Sequence, residues 1–185
     1  MPFIFKGTTV KKLTHMGTVV KTKIFKGVTV FKAEKVLLTA ASHILGTITF
    51  TKVSTPATAA SQSGQFINGD GIYFNGWNVG PDAWVDGYLS FGSTVVTEGY
   101  TTLKADYSYN FGTTDAGHSG TGYWGFKIDG NNKSEKNVTW AATKKTGSGT
   151  LSLDISNLTS FKLGLYCKIN GYGEYDFYIN KIWLE

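Results

Sequence analysis

Apolar and polar residues alternate along most of the last two thirds of this 185-residue chain. In Leu151-Ser152-Leu153-Asp154-Ile155 the alternation is strict, and Phe161, Leu163 and Leu165 keep one face apolar. A period of two marks a half-buried strand, because successive side chains point to opposite faces. Such runs predict strands at 65–68, 71–76, 84–92, 99–111, 121–129, 136–143, 150–155, 161–169 and 174–184. Turn-type clusters punctuate them: Asn68-Gly69-Asp70-Gly71, Asp86-Gly87, Asp129-Gly130-Asn131-Asn132, Gly147-Ser148-Gly149 and Asn170-Gly171. Glycine, asparagine and aspartate tolerate the backbone angles a tight turn needs. Phe177 and Ile179 share a parity that Ile182 and Leu184 break, which predicts a bulge near Asn180. Residues 65–185 therefore read as one antiparallel β-sandwich of the jelly-roll kind.

The opening third has a different rhythm. Gly7, Gly17 and Gly27 lie ten residues apart, as do Val10, Val20 and Val30. The copies FKGTTVKK, HMGTVVKT and FKGVTVFK read as short strands turning at each glycine. A ten-residue unit cannot bury its own apolar side, so it must stack on neighbours or on other chains. Residues 1–53 are accordingly expected to be a short-strand anchor and oligomerisation segment, with Phe5, Val10, Val20, Phe25 and Val30 as its apolar contacts. An ordinary β-meander is the alternative. Within this segment AEKVLLTAASHIL allows either a short helix or two strands. His43 has apolar neighbours and is expected in a core or an interface. Pro56 and the small residues of STPATAASQSG place a linker at 54–64. The fold class is then all-β: a repeat segment, a linker and a sandwich.

Composition agrees, with 23 glycines, 15% aromatics and three prolines. Valine, threonine and aromatics suit strands and give long helices little to grow on. No apolar run reaches the length of a membrane span. The apolar patch in MPFIFKGTTVKK is too short for a signal peptide, so the product is expected to stay where it is made or leave by lysis. Residues 1–52 carry a net charge of +8 and the remainder −3, with no arginine anywhere. Lysine holds phosphate only as a point charge, so the basic end is read as solubilising charge or as a dock for an acidic protein surface rather than as a nucleic-acid contact. The lone Cys167 excludes an intrachain disulfide and reads as an inert buried thiol.

Candidate chemistry is sparse. Gly120-Thr121-Gly122-Tyr123-Trp124-Gly125 fits a dinucleotide fingerprint in letters only, since a strand-like GFKID follows and no βαβ unit surrounds it. Its glycines are better read as letting Tyr123 and Trp124 pack closely at a strand start. Asp129-Gly130-Asn131-Asn132 fails as a calcium loop because Lys133 stands where an oxygen ligand is needed. A structural calcium drawing on Asp70, Asp82 and Asp86 has no spacing to fix it. No catalytic constellation, metal site or cofactor is assigned. The best binding candidate is Tyr73 to Tyr88, where Tyr73, Phe74, Trp77, Trp84 and Tyr88 are interleaved with Asn75, Asn78, Asp82 and Asp86. Flat rings with amide and carboxylate groups between them are the recipe for a sugar site. Tyr73, Asn75, Trp77, Asp82, Trp84 and Tyr172 form the candidate set. Trp77 and Tyr172, flanked by glycine and asparagine, are expected to be the most exposed. A second aromatic cluster is Tyr107, Tyr109, Trp124, Tyr172 and Tyr175, with core packing as the plainer account of each ring.

The C-terminal run LSLDISNLTSFKLGLYCKINGYGEYDFYINKIWLE is similar to the closing strands of jelly-roll, carbohydrate-binding-module-like domains. Domains of that kind recur in bacteriophage virion proteins such as tail fibres, and the N-terminal repeat resembles those that open some phage structural proteins. The resemblance implies a non-enzymatic virion component, trimeric, anchored to other virion proteins by its lysine-rich end. It would present the sandwich for attachment to a host surface glycan or for particle decoration. The other expectation is a stand-alone, lectin-like carbohydrate-binding module of a cell surface.

Overall fold

The computed structural model describes residues 13–15, 18–20, 22–25, 28–55, 60–78, 80 and 84–185. The strands are β1 (Leu13–His15), β2 (Thr18–Val20), β3 (Thr22–Phe25), β4 (Val28–Lys32), β5 (Lys35–Thr39), β6 (Ile48–Thr55), β7 (Ala60–Ile67), β8 (Gly71–Asn78), β9 (Trp84–Val96), β10 (Thr102–Gly112), β11 (Ser119–Ile128), β12 (Asn131–Ala141), β13 (Lys145–Asp154), β14 (Ser160–Gly171) and β15 (Gly173–Leu184). The described residues contain no helix, so none is long and apolar enough to cross a membrane.

Two antiparallel sheets make the sandwich. The first has the order β13-β10-β15-β8-β7, with β5 beside the far end of β15. β8 pairs with Gly173–Ile179 and β5 takes over from Lys181 to Leu184. The second has the order β12-β11-β14-β9-β6. Along each strand one parity points inward: Phe74 and Ile72 on β8, Val85 and Leu89 on β9, Leu163, Leu165, Cys167 and Ile169 on β14, Tyr175, Phe177 and Ile179 on β15. The parity break on β15 is the predicted bulge. Asp106 faces Lys181 and Tyr107 faces Ile179, which leaves Asn180 unmatched and lets Ile182 and Leu184 turn inward.

Several expectations change. The alternative of a helix within 33–45 gives way to β5 and a turn closed by Thr39 and Ser42. His43 packs edge-on against Phe66, with ring centroids 4.8 Å apart. The stretch 54–64, expected as a linker, carries the end of β6 and the first half of β7, with 56–59 outside the described residues. It pairs as a strand without apolar inward residues because other side chains fill its space. A Cβ on Gly64 would sit 2.6 Å from the Phe50 ring, and Gln62 is buried with its amide donating to the Cys167 carbonyl at 2.9 Å. β5 and β6, from the segment assigned to the anchor, join the two sandwich sheets.

Glycine also divides into two roles. Asp129 and Gly130 both have positive φ between Ile128 and its partner Asn131, a two-residue hairpin turn as expected. Asp86-Gly87 and Gly147-Ser148-Gly149 are instead interior to β9 and β13. There the missing side chains make room: for the Gln62 head at Gly87, and for the Tyr109 and Tyr107 rings at Gly147 and Gly149. The glycines at 120, 122 and 125 likewise lie under Trp140, Phe111 and Tyr166. The glycines of that motif therefore make room for rings, but for these three rather than for the expected Tyr123 and Trp124.

The repeat segment forms two small hairpins, β1-β2 and β3-β4, whose strands pair only with each other among the described residues. Val20 is opposite Leu13, Phe25 is opposite Val28, and Val30 falls at a register shift in β4. Phe5 and Val10 lie outside the described residues.

Candidate functional site

The Tyr73–Tyr88 stretch does not form one surface. Its β8 half faces outward from the first sheet and its β9 half faces outward from the second. Stacked sheets lie about 10 Å apart, so Tyr73, Asn75 and Trp77 cannot share a ligand with Trp84. Phe74 is core, and Asp82 lies outside the described residues.

On the first sheet, Tyr73 and Asn75 are opposite Tyr178 and Asp176 of β15. Tyr73 Oη donates to Asp176 Oδ1 at 2.6 Å, and Asn75 Nδ2 donates to the same oxygen at 3.0 Å. Burial, then the Asp176 hydrogen bond, pushes the Tyr73 hydroxyl well above its usual range. The Tyr73 and Tyr178 rings stack on each other with centroids 4.6 Å apart, each covering a face of the other. Trp77 is 42% exposed beside Glu174, which Lys144 engages at 3.0 Å. Most polar groups of this face are spent on one another, although Asn110 Oδ1, on the strand position opposite Asp176, is also enclosed with no donor among the described residues.

The second sheet's outer face is different. β9 presents Trp84, Asp86 and Tyr88; their neighbours on β14 are Asn170, Lys168 and Tyr166. β11 adds Thr121, Tyr123 and Gly125 in the same rows, and Lys127 beyond them. Tyr166 stands on an outer face yet is 1% exposed, its ring lying over Gly125 and its hydroxyl donating to Glu135 Oε2 at 2.7 Å. Burial, then that hydrogen bond, drives its hydroxyl far above the normal tyrosine range. An outward tyrosine this enclosed is overlain by the side chains around it, and the patch centred on it is here called the trough. Lys127 Nζ lies 4.3 Å from the Tyr88 ring centroid and Lys168 Nζ 5.3 Å from that of Trp84. Asp86 Oδ1 and Asn170 Oδ1 are enclosed with no hydrogen-bond donor among the described residues. Burial raises the Asp86 carboxyl, opposed by the nearby Lys127 and Lys168 charges and aided by Glu135.

Enclosed acceptors without donors are costly and rare in folded chains. Here two of them share a face with three aromatic side chains, Trp84, Tyr88 and Tyr123. Once the side chains covering those oxygens move aside, that set can accept hydroxyl protons from a ligand while the rings meet its C–H faces. Trp84, with Asp86 and Tyr88 beside it, is the part of this set that stood out in the sequence. Tyr123, Lys127, Tyr166, Lys168 and Asn170 did not, because β11 and β14 reach β9 only by long-range pairing. The only local hint is parity: Tyr123 and Lys127 alternate with Trp124 and Phe126, which are buried.

The second aromatic cluster is mostly core. Trp124 and Tyr175 are buried, and Tyr107 and Tyr109 lie between the sheets against Trp124. Tyr172 sits at the β14–β15 turn, stacked on His118 at 3.9 Å, and its carbonyl accepts from Trp140 Nε1. Among the described residues no three His, Cys, Asp or Glu side chains gather as a metal site.

No protein-family model matches the chain, and no curated protein matches it. Solved structures do. The enzymatically active domain of bacteriophage CBA120 tailspike protein 4 aligns with a TM-score of 0.45 at 9% identity, over 75% of this chain and 19% of that one. The chain thus spans about a fifth of the tailspike's length. A family 27 carbohydrate-binding module from Caldicellulosiruptor saccharolyticus, in complex with mannohexaose, gives 0.44 at 12% identity, over 82% of this chain and 96% of that one. A family 11 module from Clostridium thermocellum, in complex with a β-1,3-1,4-mixed-linked tetrasaccharide, gives 0.40 at 11% identity, over 82% and 94%. Likeness at this level concerns the path of the chain and says nothing of what this chain binds.

Proposed function

We propose that this chain is a glycan-binding β-sandwich and that the trough on the second sheet is its site. The observation that carries the reading is the meeting of Trp84, Tyr88 and Tyr123 with the enclosed, donorless oxygens of Asp86 and Asn170. Sugar rings offer flat C–H faces and hydroxyl donors, the two things this surface lacks. Trp77, Tyr73 and Asn75 then form no part of the site, and Tyr172 stands apart at the sandwich end.

In the same proposal the chain is a non-enzymatic structural component of a phage virion, of tail-fibre or surface type. The β1–β4 hairpins serve as the anchoring and trimerising segment, and their lysine-rich surroundings meet another virion protein. What supports this is the ten-residue repeat, whose hairpins pair with no sandwich strand among the described residues. The same observation also favours a second reading. The sandwich closes its sheets without β1–β4, so it would serve equally as a stand-alone lectin-like module.

The test is glycan-array binding of the full chain with Trp84→Ala and Trp77→Ala, alongside light scattering. Loss of binding in the first variant and retention in the second is expected. The reverse pattern would move the site to the first sheet, and a stable monomer would favour the stand-alone module. Release of reducing ends from a bound polysaccharide would refute the non-enzymatic part.

A further inference from the structure

The lysines of the trough lie over rings without an ion pair, whereas Lys181, over Trp183, also pairs with Glu34. Four ion pairs are present among the described residues: Lys35–Glu98, Lys104–Glu185, Lys144–Glu174 and Lys181–Glu34. Lys127 and Lys168 belong to none of them. Each ammonium instead rests over an aromatic ring, Tyr88 for Lys127 and Trp84 for Lys168. Those rings are the surfaces on which a pyranose would stack. A neutral sugar must push both ammonium groups aside and gives them nothing in return. A sugar carrying an anion takes the ammonium groups as partners and uncovers the rings in the same movement.

Two carboxylates lie nearby. Glu135 accepts from the Tyr166 hydroxyl at 2.7 Å. Asp86 lies beside Lys168 in the sheet register, and the Lys127 and Lys168 charges oppose the rise that burial gives its carboxyl. Resting on the reading of this face as a sugar site, we propose that the trough selects acidic glycans, with Lys127 and Lys168 as hinged arms. A carboxylate or sulfate on the sugar draws the arms off Tyr88 and Trp84, and the freed rings receive the pyranose.

The experiment uses the full chain with polygalacturonate, its neutral methyl ester, dextran sulfate and plain dextran, measured by calorimetry at two salt concentrations. Polygalacturonate is expected to bind at least tenfold more tightly than its methyl ester, with an affinity that falls as salt rises. The Lys127→Gln/Lys168→Gln variant should lose that advantage and its salt dependence, while Lys133→Gln/Lys136→Gln, on the exposed β12 edge, keeps both. Dextran sulfate binding alongside polygalacturonate would extend the site to any anionic sugar, and its failure would restrict the site to carboxylates; both outcomes support the arms. Equal affinity for acid and ester overturns the inference and leaves the sugar site standing. Equal losses in the two lysine variants overturn it as well, since net charge alone would then explain binding. Binding to none of the four polymers overturns both readings.

Discussion

Gly87 is the position where the two sheets constrain each other most directly. It lies on β9 between the trough residues Asp86 and Tyr88 and points inward. A Cβ there would stand 2.2 Å from the Cδ and Nε2 atoms of Gln62, which reaches across from β7 to bond the Cys167 carbonyl. Gly87→Ala therefore expels the Gln62 head group. The lost hydrogen bond costs about 1 kcal/mol, and overpacking of a tight core adds about 1–3 kcal/mol. A total of about 2–4 kcal/mol lowers Tm by about 5–15 °C in a domain of this size. Gln62→Ala alone removes the bond but also the enclosed, donorless Oε1, so its expected cost is smaller, about 1–2 kcal/mol. In that background the Gln62 clash is gone, and Gly87→Ala should cost clearly less than it does in the parent. The assay is urea unfolding of all four proteins, followed by fluorescence of the buried Trp124 and Trp140. Costs that simply add would refute the claim that Gly87 is bare because Gln62 needs the room.

Other consequences follow from the same geometry. Tyr166→Phe removes the donor to Glu135 and should cost about 1–2 kcal/mol in the same unfolding assay, with little change in fold by circular dichroism. Asp86→Asn should be more stable than the parent at neutral pH. The folded Asp86 holds its proton more tightly than an unfolded aspartate near 3.8, so parent stability falls as pH rises through the raised folded value. The variant's advantage should vanish on acidification below the unfolded value, and an advantage independent of pH would contradict the burial argument. Cys167 is fully buried, and its thiol is pushed up by burial with a smaller contribution from Asp86. Iodoacetamide should leave it untouched in the native protein and modify it after denaturation; rapid native labelling would exclude the inert role.

The candidate site was half legible. The aromatic and acidic stretch from Tyr73 to Tyr88 was visible as a binding signal, but it spans a crossover from one sheet to the other. Its residues therefore part company between β8 and β9. The strand residues at 60–64 were hidden for a related cause: Phe50 and Phe74 lean over Gly64, so this half of β7 carries little apolar signal of its own, and Phe66, which packs against the core, comes only after it. Glycine misled at Asp86-Gly87 and at Gly147-Ser148-Gly149, where it receives another side chain instead of bending the backbone.

What the amino-acid order settled alone is local: the β class, nearly every strand after residue 65, the Asp129-Gly130 hairpin turn and the bulge at Asn180. Each depends on alternation or turn chemistry within a few residues, where inward and outward positions are set by neighbours along the chain. The tertiary structure alone decided which layer each strand joins, which glycines are slots for rings, and which outward faces meet as a trough. Those depend on pairings such as Asp86 with Lys168, eighty-two positions apart, and alternation carries parity but no address.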